Sequence, residues 1–133
     1  QKLKHLDTYN DNRIKAADLY DQHFKDVEGL VTPWRSSNCK HVFHQYTLRV
    51  TGGREQRDFV RSGLNEKGIP SGVYYPISLH LQPAYAHGYK EGDMPVSERL
   101  SEEVISLPMH SELDETQVAY IAENFLELYH NFK

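Results

Sequence analysis

The amino-acid sequence predicts an α+β fold in which helices pack on a small sheet of antiparallel type. Three observations support this class: amphipathic patterns of helical period at both ends of the chain, an alternating apolar and polar run at residues 41–50, and shorter helix and strand patterns in between. The 133 residues, of which 38% are hydrophobic and 26% charged, suffice for a single core.

Residues 1–28 contain neither proline nor glycine, and they predict one long amphipathic helix with Gly29 as its stop signal. Because such a helix is unusual at the start of a small domain, we expect residues 1–28 to be a linker helix and residues 29–133 to be a C-terminal small domain. The chain begins with Gln1 and not with Met, as expected for a piece of a longer protein. The residues at three- and four-residue steps are Leu3, Leu6, Tyr9, Arg13, Ala16, Ala17, Tyr20, Phe24 and Val27.

The run at 41–50 predicts a half-buried strand, with Phe43 on the face opposite the apolar one. Gly52 and Gly53 then predict a turn, and residues 54–67 predict a helix that ends at Gly68. The residues expected on the apolar face of the strand are Val42, His44, Tyr46, Leu48 and Val50. The residues expected to face inward from the helix are Phe59, Val60 and Leu64.

Residues 72–75 predict a short second strand that ends at Pro76. The segment 77–93 that follows shows no period, and an irregular segment of this length in a compact domain is often functional. Its aromatic and polar side chains could hold a ligand.

Three further elements are expected in the last third of the chain. Pro95 is expected to begin a helix, with Val96, Leu100 and Val104 at steps of four. Residues 105–107 predict a brief strand. The clearest helical stripe follows, and its expected capping residues are Asp114 and Gln117.

Composition excludes several classes of partner. A net charge of −4 without a basic cluster argues against nucleic acid, because phosphate binding needs a positive surface. No apolar run approaches the roughly 20 residues of a membrane span. The single cysteine, Cys39, cannot form an internal disulfide, so we expect a reducing, cytoplasmic location.

Metal and nucleophile hypotheses are weaker than the structural alternatives. The histidines 41, 44, 80, 87 and 110 lack metal-chelating spacing, and no metal is expected. His44 is expected to be buried and bonded to the backbone, with a ligand contact as the alternative. Ser37 and Lys40 match Ser-x-x-Lys, but on a loop this is a chance match, and Cys39 is expected to be a bystander thiol.

Tyr74, Tyr75, His80 and Gln82 form the candidate binding site. Phenol, imidazole and amide groups suit a ligand rich in hydroxyl groups and partly apolar, such as a nucleotide sugar. The alternative is that the two tyrosines only pack within a strand. The irregular segment directly after them favours a binding site.

Several of these runs resemble the DegT/DnrJ/StrS family of sugar aminotransferases. Residues 41–50 resemble the first strand of that family's small domain. Residues 66–85 contain a Lys-Gly-Ile segment, then Tyr-Tyr-Pro where the family has a His-Tyr-Pro-like triplet, then Leu-His-Leu-Gln-Pro-Ala-Tyr. The Ser-Leu-Pro-Met-His run at 106–110 and the capped helix after it resemble the family's ending. Residues 1–28 resemble its linker helix.

The resemblance implies a fold-type-I enzyme, like aspartate aminotransferase, of which this chain is the C-terminal small domain. Such enzymes bind pyridoxal phosphate (PLP) on a lysine of the large domain and pass an amino group from glutamate to a keto nucleotide sugar. We therefore expect no catalytic, cofactor-binding or metal-binding residue in this chain, no PLP bound to it, and no activity of it alone. The alternative is a free-standing α+β ligand-binding or regulatory module without catalytic activity.

Carried over residue by residue, Tyr75 matches the tyrosine of the triplet, whereas Tyr74 stands where many relatives have histidine. His80 and Gln82 match the His-x-Gln pair and are the main candidates for substrate contact. The resemblance also implies a homodimer whose subunits share an active site. The Leu-His-Leu-Gln form is closer to members that make 3-amino sugars, so a 3-keto substrate is favoured over a 4-keto one.

Overall fold

The computed structural model describes residues 1–85 and 87–133, and it confirms the α+β class. Three antiparallel strands lie in the order β1-β2-β3, with Leu30 opposite Val50 and Tyr46 opposite Leu107. In chain order the elements are α1 (Leu6–Phe24), β1 (Leu30–Val31), β2 (Tyr46–Val50), α2 (Arg54–Glu66), α3 (Pro95–Glu103), β3 (Val104–Leu107) and α4 (Glu115–Asn131), with short 3-10 helices at Lys2–His5 and Leu79–Leu81.

The core joins helix α1 and helix α4 to the central strand through aromatic side chains. Tyr20 of α1 stacks on Tyr46 of β2 with ring centroids 4.7 Å apart, and Phe24 meets Phe125 of α4 edge-on at 5.2 Å. All four side chains are fully buried. Burial of this apolar area is the main stabilising contribution, and it makes the second half of α1 part of the core.

Helix α1 is shorter than the sequence predicts. It ends at Phe24, and Gly29, with φ of +80°, turns the chain into β1 instead of capping the helix. Leu3, Leu6 and Tyr9 lie on the predicted apolar stripe but are exposed, Leu3 to 81%. The stripe is therefore buried only from Ala16 onward, where α1 packs against α4. The division at residue 28 remains a prediction about the longer protein.

The strand predicted at 41–50 is wrong over its first half, because β2 begins at Tyr46. Phe43 takes a left-handed φ of 47° that breaks the alternation, so Phe43 is buried and His44 is exposed, the reverse of the expectation. Arg13 of α1 holds this turn by donating from Nη1 to the carbonyl oxygens of Phe43 (3.3 Å) and His44 (3.1 Å). Arg35 lies 4.6 Å from the centroid of the Phe43 ring.

Helix α2 buries an arginine where an aromatic residue was expected. Phe59 is 43% exposed, whereas Arg57 is 2% exposed and shares the inner face with Val60 and Leu64. Arg57 Nη1 donates to the carbonyl oxygens of Ser101 (3.2 Å) and Val104 (2.9 Å). A buried guanidinium is tolerated here because it satisfies carbonyl groups at the end of α3.

Two predictions near the end of the sheet had different outcomes. Residues 72–75 do not form a strand: only Gly72 pairs with β3, through two backbone hydrogen bonds with Ser106 of 3.0 and 2.7 Å. The cap of α4 is confirmed, because Asp114 accepts from the Gln117 amide (2.8 Å) and donates its own amide to the Gln117 side chain (3.1 Å).

No helix in the described part of the chain is long and apolar enough to span a bilayer.

Candidate functional site

A cleft of about 650 Å³ lies between residues 74–79 and the first two turns of α3. Its walls are mostly apolar with a few polar groups, a composition typical of ligand sites. Val96 and Leu100, predicted as part of the helical stripe of α3, lie in one wall. The lining residues are Tyr74, Tyr75, Ile77, Ser78, Leu79, Asp93, Met94, Pro95, Val96, Ser97, Leu100, Ser101 and Val104.

Tyr74 and Tyr75 stand at this cleft with their rings open to solvent, at 55% and 71% exposure. Their ring centroids are 6.2 Å apart and the rings are nearly perpendicular, at 83°. Gly72 leaves room for the first side chain, because a Cβ at that position would lie 2.7 Å from two ring carbons and the hydroxyl oxygen of Tyr74. The bridge to β3 fixes the backbone just before the pair.

His80 and Gln82 are not among the residues that line the cleft. His80 is 8% exposed, and its Nε2 lies 2.9 Å from Oε1 of Glu98. Gln82 is half-buried and donates from Nε2 to the Ile77 carbonyl oxygen at 3.2 Å. The structure thus brings Tyr74 and Tyr75 together, whereas His80 and Gln82 bond within the same irregular segment. Their direct contact with substrate remains a prediction.

Glu98, in the first turns of α3, does not line the cleft but bonds to residues beside both of its walls, and the sequence analysis missed it. Its carboxylate accepts the Gly92 amide (3.0 and 2.9 Å to the two oxygens) and the Met94 amide (3.1 Å), besides its contact with His80. The hydrogen bond from the Gly92 amide, with smaller contributions from Met94 and His80, holds the pKa of the Glu98 carboxyl below its ordinary value. The available signal was an acidic residue shortly after the helix-starting Pro95, a position that attracts backbone amides.

Ser78 supplies a polar atom in an otherwise apolar wall. The residue is 5% exposed, and its hydroxyl oxygen has no hydrogen-bond partner within the described residues. Buried hydroxyl groups without a partner are uncommon in folded proteins.

The cleft does not fit PLP by itself. Its lining contains no lysine for a Schiff base and no arginine for a phosphate. Lys40, the lysine of the Ser-x-x-Lys match, is paired with Asp11 at 2.6 Å, and Cys39 is exposed beside it. Over residues 1–85 and 87–133, no three acidic, histidine or cysteine side chains are grouped so as to hold a metal ion.

The fold and this segment define a class of protein. Residues 1–126 match the DegT/DnrJ/EryC1/StrS aminotransferase family, and the chain belongs to it. The Streptomyces venezuelae protein DesV, solved in complex with a ketimine intermediate, superposes with a TM-score of 0.89 at 31% identity, over 98% of this chain and 34% of DesV. This fold match confirms the predicted fold, that of fold-type-I aminotransferases, whereas the assignment of residues 29–133 to a C-terminal small domain remains a prediction.

Two curated relatives are similar over most of the chain. A pleiotropic regulatory protein of Geobacillus stearothermophilus is 42% identical over 134 residues, which cover 98% of this chain and 35% of that protein. The UDP-N-acetyl-3-dehydro-alpha-D-glucosamine 3-aminotransferase of Acidithiobacillus ferrooxidans is 42% identical over 121 residues, covering 91% of this chain and 31% of that enzyme. The chain therefore spans about a third of the length of the relatives it matches.

Proposed function

We propose that this chain is the small domain of a PLP-dependent aminotransferase that moves an amino group from glutamate to a keto group of a nucleotide-linked sugar. Family membership supports the aminotransferase class, and PLP is the cofactor that amino transfer in this class requires. The similarity to an enzyme whose name specifies a 3-dehydro sugar nucleotide favours a 3-keto substrate over a 4-keto one.

The exposed Tyr74–Tyr75 pair carries the proposal for this part of the protein. It belongs to the segment that resembles the family most closely, it lies at the mouth of an apolar cleft, and its rings are open to solvent. Phenol rings stack on or bond to sugar and base rings at little entropic cost, since their side chains have few rotatable bonds. We infer that the tyrosines contact the nucleotide sugar, with His80 and Gln82 as further candidates.

The catalytic lysine and the cofactor contacts are assigned by this proposal to the remainder of the longer protein. Two copies are proposed to share each active site, as the resemblance implies. A cytoplasmic location is part of the same proposal, because a single exposed cysteine is typical of a reducing compartment.

An assay of the proposed longer protein, called the full-length parent below, tests this function directly. This protein would be incubated with PLP, glutamate and paired 3-keto and 4-keto sugars linked to UDP or dTDP, and the products identified by mass spectrometry. We expect a 3-amino nucleotide sugar and oxidation of glutamate to 2-oxoglutarate. A parent that binds PLP but aminates no sugar in the panel would contradict the proposal.

A regulatory role is the second candidate, and the name of the Geobacillus stearothermophilus relative favours it. The same experiment separates the two. A regulatory protein would bind its ligand without forming product, whereas an enzyme would turn over glutamate repeatedly.

A further inference from the structure

We propose that Glu98 is a positioning residue, which holds the two walls of the Tyr74–Tyr75 cleft at a fixed separation. This inference rests on the proposed function for its consequence in substrate binding. Its structural part stands on the contacts of one carboxylate.

Glu98 bonds to both ends of a long irregular stretch. At one end its Oε1 meets His80 Nε2 at 2.9 Å, and at the other it accepts the Gly92 and Met94 amides at 2.9–3.1 Å. After the short 3-10 helix at Leu79–Leu81, the described residues from Gln82 to Gly92 contain no helix or strand. Without such a tie, the conformational entropy of so long a segment would favour an open ensemble.

The bonded residues adjoin the cleft walls directly. His80 follows Leu79, and residues 77–79 form one wall. Met94 is itself in the opposite wall, beside Asp93 and Pro95. A single carboxylate therefore fixes the separation between the wall that carries Tyr74 and Tyr75 and the opposite wall at the start of α3.

The chemistry of these contacts requires the ionised acid. A carboxylate has only acceptor sites, and three N–H groups converge on it here when His80 carries its proton on Nε2. Glutamine has the same size, but its amide nitrogen would face one of these donors without accepting from it. Glu98→Gln therefore removes some of these hydrogen bonds without creating a cavity, and Glu98→Ala removes all of them.

Lys90 provides a readout that is independent of catalysis. It is exposed within the tied segment, so trypsin cleavage after Lys90 reports opening of the segment. Glu102→Gln is the matched control, because Glu102 lies one turn further along α3, is about half exposed and only approaches Arg54 at 3.6 Å.

The experiment uses the PLP-loaded full-length parent carrying Glu98→Gln, Glu98→Ala or Glu102→Gln. We expect cleavage after Lys90 to accelerate about tenfold in Glu98→Ala and less in Glu98→Gln, since local opening governs proteolysis. We also expect a raised KM for the nucleotide sugar, with kcat and the KM for glutamate little changed. Circular dichroism spectra like that of the wild type would show that the variants fold.

The cleavage rate and the KM for the nucleotide sugar test different parts of the inference. If both Glu98 variants are cleaved like Glu102→Gln, the tie does not hold the segment and the inference is overturned. Faster cleavage with an unchanged KM would also overturn it, because the tie would then be structural without positioning the cleft. A wild-type parent without aminotransferase activity contradicts the proposed function, whereas the cleavage rates still decide whether Glu98 holds the segment.

Discussion

The Tyr46 hydroxyl of strand β2 donates a hydrogen bond of 2.6 Å to the Asp21 carboxylate of helix α1. Arg35 pairs with the other oxygen of Asp21 at 2.5 Å. Burial raises the pKa of the Tyr46 phenol, so the hydroxyl keeps its proton and remains a donor. The first helix is therefore bonded, as well as packed, to the centre of the sheet.

Tyr46→Phe should lower the free energy of unfolding by about 1.5–3 kcal/mol, the usual contribution of a buried hydrogen bond to a charged group. Urea unfolding of this chain measures the change. Tyr120→Phe is the control, because Tyr120 is 52% exposed and should unfold like the wild type. Equal midpoints for both variants would show that the Asp21 contact contributes nothing.

Arg57→Met should destabilise the chain by about 3 kcal/mol, because the carbonyl oxygens of Ser101 and Val104 lose their donor in a buried place. The exposed Arg61 of the same helix provides the control Arg61→Met, which is expected to change stability little. Thermal unfolding of the two variants side by side makes the comparison. A stability loss of the same size in both variants would show that the change in helix propensity, and not the lost hydrogen bonds of Arg57, causes it.

Gly72→Ala should move the Tyr74 ring without unfolding the sheet, because the added Cβ would lie 2.7 Å from atoms of an exposed, movable side chain. A misplaced ring forfeits about 0.5–1.5 kcal/mol of aromatic contact, so KM for the nucleotide sugar in the parent should rise about twofold to tenfold. Ser71→Ala, one residue earlier, adds no atom and should leave KM unchanged. An unaltered KM in Gly72→Ala would show that Tyr74 does not contact the nucleotide sugar.

The order of the segment before α3 should depend on pH through Glu98. A depressed carboxyl pKa means that the stabilisation is complete above the ordinary glutamate range and is lost as the pH falls through the lowered pKa. Hydrogen exchange of the Gly92 and Met94 amides, corrected for intrinsic rates, measures this. Glu98→Gln should show weaker protection at neutral pH and no such acid transition. An acid transition shared by wild type and variant would assign the effect to other groups.

Sequence patterns correctly predicted the helices in which apolar side chains recur at three- and four-residue steps without interruption. The α4 stripe and its Asp114–Gln117 cap were confirmed, as was the start of α3 at Pro95. In these segments, local capping chemistry and burial favour the same structure.

Two of the failures occurred where a distant partner overrides the local pattern. Phe43 is held in a left-handed turn by Arg13, thirty residues earlier, and Arg57 is buried because α3 ends against it. Neither partner is visible in a local pattern. In the candidate site, Tyr74 and Tyr75 could be found from composition and the family motif. The amides that Glu98 accepts belong to Gly92 and Met94, close to it in the sequence, whereas its contact with His80, eighteen residues earlier, is visible only in the structure.

The most direct measurement is a crystal structure of the full-length parent with PLP and its nucleotide-sugar product bound. The account predicts that the Tyr74–Tyr75 surface touches the nucleotide sugar, with at least one phenol ring or hydroxyl group in van der Waals or hydrogen-bond contact, within about 4 Å. A nucleotide sugar bound in the same protein with both tyrosines remote from it would contradict the account.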